Sequence, residues 1–137
     1  MRFKFSLKDA EYSARKPIIP SVTEESFDPE SGLFFARQGL QDKLLRRLRQ
    51  GKIRIECQLD LHGMKWSEAA EALEEFLNGC QSRGYRCVLM IPGKGQVLKA
   101  RLSELLRFRK EVLAFSTAQP RHGGAGALYV LLKSKKD

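Results

Sequence analysis

Leu59-Asp60-Leu61-His62-Gly63, read together with the amphipathic run from Ser67 to Cys80, decides the fold of this chain. Lys52 to Leu61 has the character of a strand, and a strand's side chains alternate between faces. Asp60 and His62 therefore project to one side while Leu61 enters the core. Gly63 lets the backbone turn. Ser67 reads as the N-cap of a helix in which Ala69, Leu73, Phe76, Leu77 and Cys80 share one face, and Gly84 ends it. A strand that runs out at a carboxylate and an imidazole, then passes into a helix, is the arrangement by which α/β folds present chemistry.

Outward from this unit the pattern repeats. Tyr85 to Ile91 is a continuous apolar strand of the buried type, followed by Pro92-Gly93-Lys94-Gly95 and a helix with Leu98, Leu102, Leu105 and Leu106 inward. Glu111 to Thr117 reads as a third strand, Pro120 to Gly126 as a glycine-rich turn, and Ala127 to Lys133 as a last strand. The order β-α-β-α-β-β predicts an α/β two-layer sandwich, a four-stranded mixed sheet carrying two helices. Right-handed crossovers make the first three strands parallel and the short last connection makes the fourth antiparallel to the third. Loops Asp60–Gly63, Pro92–Gly95 and Pro120–Gly126 then gather on one sheet edge.

Toward the amino terminus, residues 37–52 read as a basic amphipathic helix. Leu40, Leu44, Leu45 and Leu48 fall at helical spacing among Lys43, Arg46, Arg47 and Arg49, and Gly51 closes the segment. Residues 1–36, broken by Pro17, Pro20, Pro29 and Gly32, read as an arm whose scattered Phe3, Phe5, Phe27, Phe34 and Phe35 suggest that it docks on something. The expected organisation is arm 1–36, basic helix 37–52 and main domain 53–137.

The 137 residues carry a formal net charge of +9, which favours an acidic partner such as nucleic acid. The charge is uneven: residues 1–36 are net −1, residues 37–56 net +5 and the remainder net +5. Cys57, Cys80 and Cys87 are odd in number and lack a CxxC pair, which argues against a disulfide framework and a zinc site. The longest apolar run, Cys87 to Ile91, is too short to span a bilayer, and the charged start Met1-Arg2-Phe3-Lys4-Phe5 does not resemble a signal peptide. A cytoplasmic protein that does not engage a membrane is expected.

The candidate chemistry follows from residue types. His62 titrates near neutrality when unperturbed and can move a proton at a phosphodiester oxygen or a water. Asp60 can orient the imidazole, stabilise its charged form, or ligate a divalent metal such as Mg²⁺ or Mn²⁺. The same spacing also allows a purely structural pair, with Asp60 capping the next helix. Gly93, Lys94 and Gly95 precede a helix and suit an anion, although the rest of a P-loop is absent. Arg121, His122, Gly123 and Gly124 add charge and close backbone approach, or simply form a long turn. Arg46, Arg47, Arg49 and Lys52 suit phosphates, or a solvated face. Tyr85 and Trp66 are candidates for stacking on bases.

Together these motifs resemble the small MutS-related (Smr) domain. The resemblance rests on Leu59–Gly63, the strand ending in Gly93-Lys94-Gly95, and Gln119-Pro120-Arg121-His122-Gly123-Gly124-Ala125-Gly126-Ala127-Leu128, and covers about residues 53–133. The basic segment ahead of it resembles the stand-alone proteobacterial branch with an amino-terminal extension. The resemblance implies a four-stranded mixed sheet with two helices, and a nucleic-acid endonuclease that nicks DNA or cleaves RNA, in some members on messenger RNA at stalled ribosomes. The family's Asp-Leu-His motif falls on Asp60, Leu61 and His62, and its GxG turn on Gly93, Lys94 and Gly95, with Gly63 beside them. One departure stands out: many members carry a histidine before the GxG turn, where this chain has Pro92. That departure keeps open a non-catalytic adaptor that binds nucleic acid or a ribosomal surface.

Overall fold

Leu128 to Leu132 is buried at all five positions. Since side chains alternate across a strand, such burial requires cover on both faces of the sheet. The computed structural model describes residues 24–28 and 32–134 and supplies that cover. In chain order the strands are β1 (Glu24–Asp28), β2 (Gly32–Ala36), β3 (Cys57–Asp60), β4 (Cys87–Ile91), β5 (Val112–Thr117) and β6 (Leu128–Leu132). The helices are α1 (Asp42–Arg49), α2 (Trp66–Arg83) and α3 (Gln96–Phe108).

The strands form one mixed sheet in the order β1-β2-β5-β6-β4-β3. β3 and β4 pair in parallel, while β6 lies between β4 and β5, antiparallel to both. The strand directions are those expected from the crossovers. The insertion of β6 between β4 and β5 leaves β3 at an edge. On one face, α2 and α3 bury Leu73, Leu77, Leu102 and Leu106 against Val88, Met90, Phe115 and Val130. On the other, α1 sets Leu48 over Leu89, Tyr129 and Leu131, with Leu44, Leu45, Ile53 and Ile55 at the margin. The α/β class holds, and α1 adds a partial third layer to the two expected.

The segment read as an arm also differs. β1 and β2 form a hairpin, and β2 pairs antiparallel with β5, Phe35 opposite Phe115, extending the expected four strands to six among the described residues. Those two rings stack at 5.3 Å. Each strand has only five residues, too few to declare a period against Pro29 and Gly32. Residues 1–23, with Phe3 and Phe5, and residues 29–31 lie outside the described residues.

Arg37, where the positive run begins, fastens the hairpin. Its guanidinium donates to the carbonyls of Val112 at 2.8 Å, Arg107 at 2.7 Å and Arg109 at 2.9 Å. Burial lowers its pKa, against the opposing pull of Glu111, but it remains an arginine charge used for structure.

The helix ends have specific causes. The α2 N-cap is Lys65, not Ser67: the Glu68 carboxylate accepts the Lys65 N–H at 3.1 Å, reaching back one turn as Ser67 cannot. α1 closes with Gly51 at φ 73, Gly51 N–H bonded to Leu48 O and Lys52 N–H to Arg47 O, a Schellman pair. Cys80 and Cys87 are buried, and burial pushes each thiol up to about 12. They are packing residues at neutral pH.

Candidate active site at the carboxyl edge of the sheet

β3 delivers Asp60 and His62 because Leu61, fully buried, anchors the strand end between them. The register fixes the face: Cys57 and Leu59 stand opposite Val88 and Met90, on the side of α2 and α3, whereas Gln58 and Asp60 stand opposite Leu89 and Ile91. Asp60 therefore shares the face that carries the basic helix α1.

Asp60 Oδ1 accepts two hydrogen bonds from His62, from ring Nδ1 at 2.6 Å and from the backbone N–H at 3.0 Å. An ionised carboxylate only accepts, so Nδ1 carries a hydrogen and Nε2 is the atom left to exchange protons. The imidazole is 69% exposed and the carboxylate 51%, so the pair is open to a large substrate. The side-chain bond from His62, followed by the backbone bond, holds the Asp60 carboxyl below its usual range. A carboxyl with a lowered folded-state pKa contributes above the ordinary carboxylate range, and that contribution is lost as pH falls through the lowered value. In a carbon-13 carboxyl titration Asp60 is expected to show a midpoint below those of exposed aspartates, and His62→Ala is expected to raise it.

The turn after β4 lies against this pair. Gly93 has φ 86, and a Cβ built there would sit 3.1 Å from His62 Cβ. Gly93 also donates its N–H to Gly126 O at 3.1 Å, which ties the turn to the glycine loop before β6. That bond removes the Gly93 amide from the groups expected to face a phosphate. What remains is the exposed Lys94, whose stem passes near Gly126, and the start of α3. α3 has no side-chain cap and no acidic residue in its first turn, leaving its first amides and positive dipole end for an anion. Gly93→Ala is expected to cost about 1–2 kcal/mol, the penalty for a Cβ in the left-handed region, and to displace His62. Urea melts and the His62 ring resonances would register the two effects separately.

The third expected loop splits in two. Gly124–Gly126 reaches the edge as above, but Pro120–His122 turns away at Gly123, φ 119, toward α1. Arg121 Nη2 donates to Gln50 O at 3.1 Å and Gly51 O at 3.3 Å, and Gln119 Nε2 donates to Arg49 O at 2.7 Å. These side chains occupy the carbonyls at the end of α1. His122 Nδ1 bonds the hydroxyl of the buried Tyr129, which also accepts the Gln119 N–H at 3.1 Å. His122, the second of two histidines in the chain, is thus engaged by Tyr129. Gln119 and Tyr129 are the residues that sequence reasoning missed as determinants; the apolar pattern of β6 gives Tyr129 no distinguishing signal.

Arg46, Arg47, Arg49 and Lys52 are all exposed, but they do not form one row. Arg46 and Arg49, three apart, line one groove beside α1, while Arg47 is not among its lining residues. Trp66 packs on the core with Arg101 over its ring at 5.9 Å, and Tyr85 is half-buried against the same core.

Asp60 Oδ1 is committed to His62, leaving one carboxylate oxygen and one imidazole nitrogen, and among the described residues no cluster of three His, Cys, Asp or Glu exists. Among the described residues, too, no helix is long and apolar enough to cross a membrane.

An aspartate and histidine joined at the end of an edge strand, with a GxG turn packed on them, match a known domain: the Smr domain model aligns with residues 59–133. The chain belongs to the Smr domain family. Ribosome rescue factor SmrB of Aliivibrio salmonicida (strain LFI1238) is 31% identical to this Smr protein over 126 residues, 91% of this chain and 68% of the relative. Probable DNA endonuclease SmrA of Escherichia coli (strain K12) is 34% identical over 108 residues, 74% of this chain but only 58% of the relative. The crystal structure of YdaL, a stand-alone small MutS-related protein from Escherichia coli, matches with a TM-score of 0.67 at 33% identity, covering 74% of this chain and 82% of that one. The Smr domain of Thermus thermophilus MutS2 matches with a TM-score of 0.54 at 30% identity, covering 57% of this chain and 99% of that domain.

Proposed function

We propose that this Smr protein is an endonuclease that cleaves phosphodiester bonds in nucleic acid. The observation that carries the reading is the Asp60–His62 bond at 2.6 Å, which leaves one imidazole nitrogen free at an open sheet edge beside the turn that carries the exposed Lys94. His62 Nε2 takes the proton from the attacking hydroxyl, which is either a water or the neighbouring 2′-hydroxyl of RNA, and returns it to the leaving oxygen. Asp60 fixes the tautomer and stabilises the imidazolium while that proton is held. Lys94 and the first amides of α3 stabilise the added charge on the phosphorus oxygens. The basic face of α1 holds the flanking strand. The names of the SmrA and SmrB relatives support a substrate of this class.

A second reading, an adaptor that binds nucleic acid or a ribosomal surface without cutting, is favoured by one observation. The chain has two histidines and His122 is taken by Tyr129, so a mechanism needing two imidazoles has only one. The deciding experiment incubates wild type and Asp60→Ala/His62→Ala with supercoiled plasmid and with structured and single-stranded RNA, with Mg²⁺ and with EDTA. Cutting that the double variant loses, while its binding persists, supports the endonuclease, and the EDTA lanes report the metal need. Salt-sensitive binding without cutting by either protein selects the adaptor.

A further inference from the structure

Between β2 and α1 lies an open groove of about 760 Å³, separate from the Asp60–His62 pair. Arg37, Arg46 and Arg49 line it, against a single carboxylate, Asp42. One aromatic ring stands in its wall, Phe34, and the Arg49 guanidinium lies over it at 4.5 Å. That contact braces the flat cation of the exposed Arg49 on one side, and a nucleobase stacks on a guanidinium plane as it does on an aromatic ring.

We propose that this groove binds a single-stranded stretch of nucleic acid, as a second subsite for the strand presented to Asp60 and His62. The inference rests on the nucleic-acid reading above and extends it from a cleavage point to a path. Base faces are available for stacking in a single strand and hidden in a duplex, and the groove offers a stacking plane flanked by charges that suit the phosphates. The basic helix beside the groove, α1, is only eight residues long and packs on the sheet, which suits it to a strand laid along its side rather than to insertion in a major groove.

The path is short. Gln119 lines the groove and Gly126 is bonded to Gly93 in the turn beside His62. The intervening chain spans at most about 25 Å at about 3.5 Å per residue, which about seven stacked nucleotides cover at about 3.4 Å each. A strand that reaches both places is therefore a short oligonucleotide.

The test measures fluorescence polarisation of the full chain with a ladder of labelled oligouridylates and oligothymidylates and with a blunt duplex, each at several salt concentrations. In the wild type, affinity is expected to step up with strand length, reaching its plateau at or below about seven nucleotides. In Arg46→Ala/Arg49→Ala that step is lost, affinity for the long strands falls about tenfold or more, and the log–log salt slope flattens by about 1.4, or 0.7 for each phosphate contact removed. Both side chains are exposed on α1, and an unchanged circular-dichroism melt confirms that the variant folds. Arg49→Lys retains the charge without the plane and is expected to keep the salt slope but recover only part of the affinity.

Wild-type affinity and salt slope in the double variant would overturn the groove, even if Asp60 and His62 prove catalytic. Equal dependence of duplex binding on Arg46 and Arg49 would overturn its single-strand character. If no substrate is cut but the length step and its loss both occur, the catalytic reading fails while the groove stands.

Discussion

His62→Ala is expected to reduce phosphodiester cleavage by about 100- to 10,000-fold, the usual worth of a positioned acid/base. The size follows from the geometry. Nδ1 is held by Asp60 at 2.6 Å, so proton exchange falls to Nε2, and His122, already bonded to Tyr129, offers no second imidazole in place. Asp60→Asn is expected to cost less, because the exposed ring retains a neutral partner and water can replace part of the bond; what it loses is the charge that stabilises the imidazolium. Lys94→Ala should act mainly on the rate of the chemical step, by removing the charge that the proposed mechanism sets against the phosphorus oxygens. Single-turnover cleavage at saturating enzyme separates these effects from binding. Full activity in His62→Ala, in a preparation free of contaminating nuclease, would sink the assignment.

Arg109→Ala is expected to destabilise the fold by about 3 kcal/mol, near the lower end of what breaking a buried ion pair costs. Arg109 follows α3 and joins three elements: Nη1 bonds Glu74 on α2 and Nη2 bonds Glu111 before β5, both at 2.6 Å. Its side chain is 21% exposed and that of Glu111 16%, so the alanine variant leaves a poorly solvated carboxylate without its cation. Burial opposes the charge on Arg109, but the two carboxylates outweigh it and raise the pKa overall. The loss should show in urea as a lower midpoint at unchanged slope. Adding Glu74→Gln and Glu111→Gln to Arg109→Ala should recover part of the stability by removing the stranded charges; no recovery would mean that the triad acts through packing alone.

Much of this molecule could be read along the chain, and the failures have physical causes. Leu61 inward with Asp60 and His62 outward follows from the period of a strand, and the buried faces of α2 and α3 follow from the period of a helix. The hairpin could not be read, because β1 and β2 are short and the partners that hold β2, Phe115 on β5 and the carbonyls that Arg37 reaches, lie some seventy to eighty residues away along the chain. Ser67 was a sound N-cap by type, but Glu68 does the capping from within the first turn. Arg121 and His122 have the composition of a phosphate site. In the fold Arg121 bonds the carbonyls at the end of α1 and His122 bonds Tyr129, because Gly123 reverses the loop between them and Gly126.

The sequence by itself determined the strand and helix order, the strand directions, the Asp60–His62 juxtaposition and the glycine turn that meets it, because each depends on local periodicity, backbone freedom or the handedness of a crossover. The tertiary structure alone decided that β6 enters between β4 and β5, that α1 covers the face on which Asp60 stands, and that one glycine loop divides its residues between the Asp60–His62 edge and the basic helix. Those outcomes depend on which apolar surfaces meet and which backbone groups remain to be paired, and both are properties of the assembled sheet.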